Sequence, residues 1–290
     1  MKKILVVVND AGASNFIASY FYFKNCLFDT ILTGPAKKIF YDYKLKFHNH
    51  SKSQLKTIIP KYDIVYTGTG WQSNLEKEAI KFSKINKIKV ITFLDHWSNY
   101  RSRFILNRNK ILPDQIWVSN KKAKNMILND SFFLKCETKI ILNTYKKYLK
   151  LKYKQIKYKK KKITQVLFLA EPIEKKRSGF DICDIIQKLI LVLQIKTKKK
   201  IQLNLRPHPT QSINDFLKFK NNYNNIEVKV SKNFNLLKDI KNNHFVIGCN
   251  SIALIVSLWF YKKTYYFFYH RSKNSFIKNN KLKNFWYAKI

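Results

Sequence analysis

Short unbroken runs of β-branched and apolar residues recur along this chain. Each is closed by a small polar turn and followed by a longer stretch with helical spacing. Continuous apolar strands alternating with helices predict a parallel sheet covered on both faces, so an all-helical or antiparallel all-β fold is excluded. The first run, Lys3 to Val8, leads into the turn Asn9-Asp10-Ala11-Gly12-Ala13-Ser14-Asn15 and a helix carrying Phe16, Ile17, Tyr20 and Phe21. Thr30 to Leu32 is closed by Gly34-Pro35, and Asp63 to Tyr66 ends in Thr67-Gly68-Thr69-Gly70. Ser73 then opens a helix, with Glu76 three places on completing a capping box. Lys89 to Leu94 runs into Asp95-His96-Trp97, and Gln115 to Val118 follows Leu112-Pro113-Asp114.

A lysine and tyrosine tract near residues 146–162 interrupts this rhythm, which then restarts. Gln165 to Leu169, Ile201 to Leu205, Ile226 to Val230, Phe245 to Ile247 and Thr264 to Phe268 read as strands. Asp181 to Leu193 and Ser251 to Phe260 read as helices. The expected organisation is a Rossmann-like domain at 1–150, a basic linker at 151–162, and a second, shorter Rossmann-like domain at 163–290. The two are expected to face a cleft, because open α/β sheets bind ligands at the carboxyl ends of their strands.

With 46% hydrophobic and 15% aromatic residues the chain can build a core, which excludes a disordered protein. The net charge of +40 is extreme, yet only six of its 57 basic residues are arginine. Nucleic-acid readers mix in more arginine, whose planar fork grips phosphates and guanine edges. The joint excess of Lys, Asn and Ile looks like an AT-rich coding bias on solvent-facing positions. A share of the charge would suit an anionic membrane surface. The four cysteines lie far apart without a CxxC pair, which argues against a zinc site or disulfide framework and for a cytoplasmic protein. Phe245 to Tyr261, the longest apolar stretch, is interrupted by Gly248, Asn250 and Ser251 and falls short of a spanning helix.

Chemistry-bearing residues gather at the strand ends. Asp10 suits either a helix cap or a catalytic base, and Asp95 with His96 suits either proton transfer or structural hydrogen bonding. Gly12, Gly68 and Gly70 fit tight turns or close approach of a ligand to the backbone. In the second half, Arg206-Pro207-His208-Pro209 ends one strand and Gly248-Cys249-Asn250-Ser251 ends another and starts a helix. Arg206, His208, Asn250 and Ser251 together would form a phosphate pocket from a cation, polar side chains and free backbone amides.

This strand–Arg-Pro-His-Pro and strand–Gly-Cys-Asn-Ser–helix order resembles the donor half of GT-B glycosyltransferases. The nearest likeness is to bacterial capsule and lipopolysaccharide enzymes, among them sialyltransferases and polyglycerol-phosphate polymerases. The resemblance implies that His208 and Ser251 hold the donor phosphate. The acidic-pair-then-glycine base motif of some sialyltransferases is missing, and so is the long C-terminal helix that commonly crosses back in that fold. The expectation is a metal-independent transferase, without a DxD pair and without a cofactor, using a nucleotide sugar and a glycan or lipid-linked acceptor. Asp10 or Asp95 would be its base. A nucleotide-sugar epimerase of the same architecture and a basic nucleic-acid-binding protein are the rivals.

Overall fold

The computed structural model describes residues 2–70, 73–95, 100–158, 162–173, 180–209, 211–232, 235–249, 251–267 and 282–285. The chain divides into two compact units, Met1–Tyr148 and Leu149–Ile290.

The first unit holds β1 (Ile4–Val8), β2 (Asp29–Leu32), β3 (His48–Asn49), β4 (Ile64–Thr67), β5 (Lys89–Phe93), β6 (Gln115–Val118) and β7 (Glu137–Ile140). They form one sheet in the order β3-β2-β1-β4-β5-β6-β7, parallel throughout. All five residues of β1 are buried, as its central place demands, and its run of three valines suits a pleated strand. Helices α1 (Ala11–Lys24), α2 (Pro35–Asp42), α3 (Leu75–Ile85), α4 (Lys121–Leu128) and α5 (Thr144–Gln155) follow strands in turn. One face of the sheet packs Leu5, Val7, Val65 and Val90 against Leu75, Ala79 and Ile80 of α3. Each such aliphatic chain gains about 1.5–3 kcal/mol from burial. Elsewhere aromatic rings interlock: Phe21 of α1 meets Tyr66 edge-on at 5.4 Å, and Phe93 meets Trp117 at 5.1 Å.

The second unit repeats the plan with β8 (Thr164–Leu169), β9 (Ile201–Arg206), β10 (Asn222–Tyr223), β11 (Ile226–Val230), β12 (Phe245–Gly248), β13 (Lys263–Tyr266) and β14 (Lys283–Asn284). Their order is β10-β11-β9-β8-β12-β13-β14, and β10 with β11 is the antiparallel pair among parallel ones. Its longer helices include α6 (Ile182–Lys196), α7 (Leu236–Asn242) and α8 (Ile252–Leu258). Asp181 starts α6 by accepting from the amides of Cys183 and Asp184, while Asp184 returns a bond to the Asp181 amide. Ile185, Ile186, Leu189 and Leu193 of that helix are buried against the sheet.

Three expectations need correction. The linker expected from 151 is helical as far as Gln155, since α5 runs across the division between the units. Charge repulsion along the tract is outweighed by its tyrosines: Tyr148 stacks on Tyr43 at 4.0 Å and Tyr153 on Phe260 at 4.1 Å. Lys241 Nζ then donates to the carbonyls of Tyr153 and Ile156, meeting acceptors that a helix end leaves open. The expected capping box of Ser73 and Glu76 is absent: Ser73 Oγ accepts the Leu75 amide, but the Glu76 carboxyl points elsewhere. Strand β7 was not expected, because only Thr138 of its four residues is buried and it lies at a sheet edge. Among the described residues no helix is long and apolar enough to cross a membrane.

Candidate active site

In the first unit, the chain leaves β1 toward β2 on one side and returns to add β4 on the other. The strand order therefore reverses between β1 and β4, and a crevice at the carboxyl ends of those strands is the ligand position in open α/β folds. Asp10 stands at this point as the cap of α1, its Oδ2 accepting the amides of Gly12 (3.0 Å) and Ala13 (3.3 Å). Both bonds satisfy amides that the first turn of a helix leaves open. The structure gives Asp10 the helix-cap role, at the end of the sheet where open α/β folds bind ligands.

Asp95, two residues beyond β5, comes to the same place. Its Oδ1 accepts from Arg103 Nη1 at 3.3 Å and from Thr69 Oγ1 at 3.2 Å. Arg103 is itself buried, at 7% exposure, and gives a 2.6 Å bond to the Thr69 carbonyl. Burial and then the charge of Asp10 push the Asp95 carboxyl up to about 6, although Arg103 pulls the other way. The two carboxyls stand in different settings: that of Asp10 caps a helix, and that of Asp95 is buried with a raised affinity for its proton.

Three glycines leave room for neighbouring side chains. A Cβ on Gly12 would lie 1.9 Å from Asp95 Oδ2. One on Gly70 would lie 2.9 Å from Glu76 Oε1, and one on Gly68 would meet Ala13 at 2.5 Å. Gly12, Gly68 and Gly70 were expected as ligand-contact turns; in the structure protein atoms already fill the space a side chain would need. Glu76, which sequence reasoning missed at this site, is 1% exposed and accepts the amides of Asn9 (2.8 Å) and Asp10 (3.3 Å) on one oxygen. His96, expected beside Asp95, lies outside the described residues.

In the second unit, Arg206 and His208 lie at and just beyond the carboxyl end of β9, and Ser251 lies beyond that of β12. The two strands flank β8. Arg206 Nη1 pairs with Asp239 of α7, and Asp239 also accepts the Ser231 hydroxyl at 2.7 Å. That pairing holds the guanidinium against the unit's own helix. The His208 amide donates to Gln211 Oε1, and Gln211 Nε2 in turn reaches the Glu171 carbonyl at the end of β8. Partial burial lowers the His208 pKa and favours the neutral ring. Ser251 caps α8 by accepting the Ala253 amide at 3.2 Å, which leaves its hydroxyl proton to donate. Beside it, burial raises the Cys249 thiol well above its ordinary value and keeps it unreactive. Asn250, the fourth residue expected in this pocket, is also outside the described residues. Among the described residues no group of three or more His, Cys, Asp or Glu side chains could hold a metal ion.

No protein-family model and no curated protein matches the chain. Solved structures do. The UDP-GlcNAc 2-epimerase from Methanocaldococcus jannaschii is similar over 96% of this chain and 86% of its own, with a TM-score of 0.63 and 11% identity. The UDP-GlcNAc 2-epimerase from Neisseria meningitidis, bound to UDP-GlcNAc, is similar over 87% of this chain and 78% of its own, with a TM-score of 0.55 and 13% identity. MurG from Acinetobacter baumannii is similar over 93% and 80%, with a TM-score of 0.56 and 8% identity. Identity this low speaks for the fold alone, and that fold is the GT-B-like pair of Rossmann-like units expected from the sequence.

Proposed function

We propose that the chain is a nucleotide-sugar enzyme and, within that class, a metal-independent glycosyltransferase acting on a polysaccharide or lipid-linked acceptor of the cell surface. The observation that carries this reading is the Asp10–Asp95 pair at the reversal point of a fold shared with proteins of UDP-sugar chemistry. In the reaction, an acceptor hydroxyl oxygen bonds to the anomeric carbon of the donor. The bond from that carbon to the nucleotide phosphate oxygen breaks, and its electron pair leaves on the phosphate. The acceptor proton passes to Asp95, with Asp10 as the alternative. A carboxylate titrating near 6 is mostly ionised at neutral pH yet is a stronger base than an ordinary aspartate.

On the donor side, neutral His208 and the Ser251 hydroxyl supply hydrogen bonds to the departing phosphate, and Asn250 adds its amide. Arg206 contributes its field from its seat on Asp239. The charge of +40 draws the enzyme to anionic membrane surfaces, where lipid-linked acceptors lie.

Epimerisation is the second reading, favoured by the likeness to two UDP-GlcNAc 2-epimerases. Calorimetric titration of UDP, CMP, CDP and GDP identifies the base. Incubation with the matching nucleotide sugar then separates the readings. Acceptor-dependent release of free nucleotide is the transferase result, and conversion to the C2 epimer with the nucleotide still attached is the epimerase result. If no nucleotide binds and no nucleotide sugar is consumed, the whole class is wrong.

A further inference from the structure

Glu76 stands on the first turn of α3, yet its side chain reaches across to another element. One oxygen accepts two consecutive amides, those of Asn9 and Asp10. The other oxygen is buried, and among the described residues it has no hydrogen-bond partner. From the opposite side the loop after β4 closes on the same carboxyl, so tightly that a Cβ at Gly70 would stand 2.9 and 3.1 Å from its two oxygens. A buried carboxyl with an orphaned oxygen is costly, and an apolar side chain would fill the space more stably. An apolar replacement could not, however, accept the two amides that set the direction in which Asp10 leaves β1.

We propose that Glu76 is a positioning residue: its carboxyl clamps the Asn9–Asp10 turn and thereby holds Asp10 against Asp95. This rests on the reading that the aspartate pair takes the acceptor proton. The connection closes on itself. Glu76 holds the backbone of Asp10, Asp10 faces Asp95 from the start of α1, and Asp95 is tied to Arg103 and to Thr69 Oγ1. Arg103 binds the Thr69 carbonyl, and Thr69 belongs to the loop that packs on Glu76. Moving the Asn9–Asp10 turn therefore changes the charge that Asp95 senses without touching Asp95.

The test is the titration of Asp95, followed by carbon-13 NMR of its carboxyl in the whole chain without ligand and assigned with D95N. In the wild type it should titrate near 6. Glu76→Gln keeps an acceptor oxygen and should leave that midpoint in place. Glu76→Ala removes the oxygen and should lower the midpoint by part of its rise, the part that Asp10 supplies, while burial keeps the rest. If Glu76→Ala does not fold, Glu76→Asp, which draws the oxygen back by one methylene, should shift the midpoint the same way. Calorimetry with UDP runs in parallel: UDP affinity should be unchanged in the folded variants, and turnover should fall in Glu76→Ala and Glu76→Asp but not in Glu76→Gln. An unmoved midpoint in Glu76→Ala or Glu76→Asp overturns the clamp, as does a shift in Glu76→Gln equal to that in Glu76→Ala. A wild type that binds none of UDP, CMP, CDP or GDP sinks the functional reading instead, while the ligand-free titration still decides the clamp.

Discussion

The two units share a sheet plan, yet the same topological place carries opposite chemistry in each. At the reversal between β1 and β4, three acids and one arginine are packed into the protein: Asp10, Glu76, Asp95 and Arg103. At the strand ends around β8, the equivalent groups are a neutral histidine, a capping serine and an arginine already paired with Asp239. A Rossmann-like scaffold therefore fixes where chemistry happens and leaves its sign to the few residues after each strand. On the proposed reading the first unit accepts a proton and the second donates hydrogen bonds to an anion.

The sharpest way to break this comparison is at Asp239. If Arg206 is a fixture of the second unit, Asp239→Ala should cost about 3–5 kcal/mol, because it strips a buried cation of its carboxylate. Chemical denaturation would measure this. A change below 1 kcal/mol, roughly the worth of an exposed pair, would mean that Asp239 is not what fixes Arg206. In the first unit the acids should reveal themselves by pH. The native Asp95 carboxyl is raised from 3.8 to about 6, so the folded state binds the proton more tightly than the unfolded chain does. Its contribution to stability is full below about 4 and is lost as pH rises to about 6, a difference of up to about 3 kcal/mol. Asp95→Asn should flatten that slope, and an identical pH profile in the variant would remove the case for a shifted group.

Smaller effects refine the contrast. Gly12→Ala drives a methyl into Asp95 and should cost about 1–3 kcal/mol by overpacking, read by thermal or denaturant melts. His208→Ala should weaken nucleotide binding by about 0.5–3 kcal/mol without unfolding the chain. Ser251→Ala should lose less, since backbone amides remain. Titration calorimetry that finds wild-type affinity in both would place the phosphate elsewhere.

Much of this scaffold was legible because parallel sheets write themselves as short apolar runs. The strands Gln115–Val118 and Ile226–Val230 stand where the pattern put them, and Asp10 and Asp95 were found by their position after such runs. Edge strand β7 was invisible because its exposed Glu137, Lys139 and Ile140 carry no burial signal. Glu76 was misread for a different reason. Ser-x-x-Glu before an apolar run is a local pattern, whereas its real partner lies 67 residues away at Asn9. Arg206 was read as a ligand cation because its carboxylate partner is 33 residues along the chain and on another element. Local chemistry is written in order along a chain; pairing across a fold is not.

The fit between Gly12 and Asp95 also constrains how this protein can drift in evolution. A larger residue at 12 has little room while the Asp95 carboxyl keeps its place, so a change at 12 depends on one at 95 while the reverse does not hold. Descendants that gain a side chain at 12 should carry a shorter one at 95 in the same lineage. The same one-way order holds for Gly70 and Glu76. Paired substitutions among relatives, when such sequences are compared, would mark the lineages in which the acid pair has been given up.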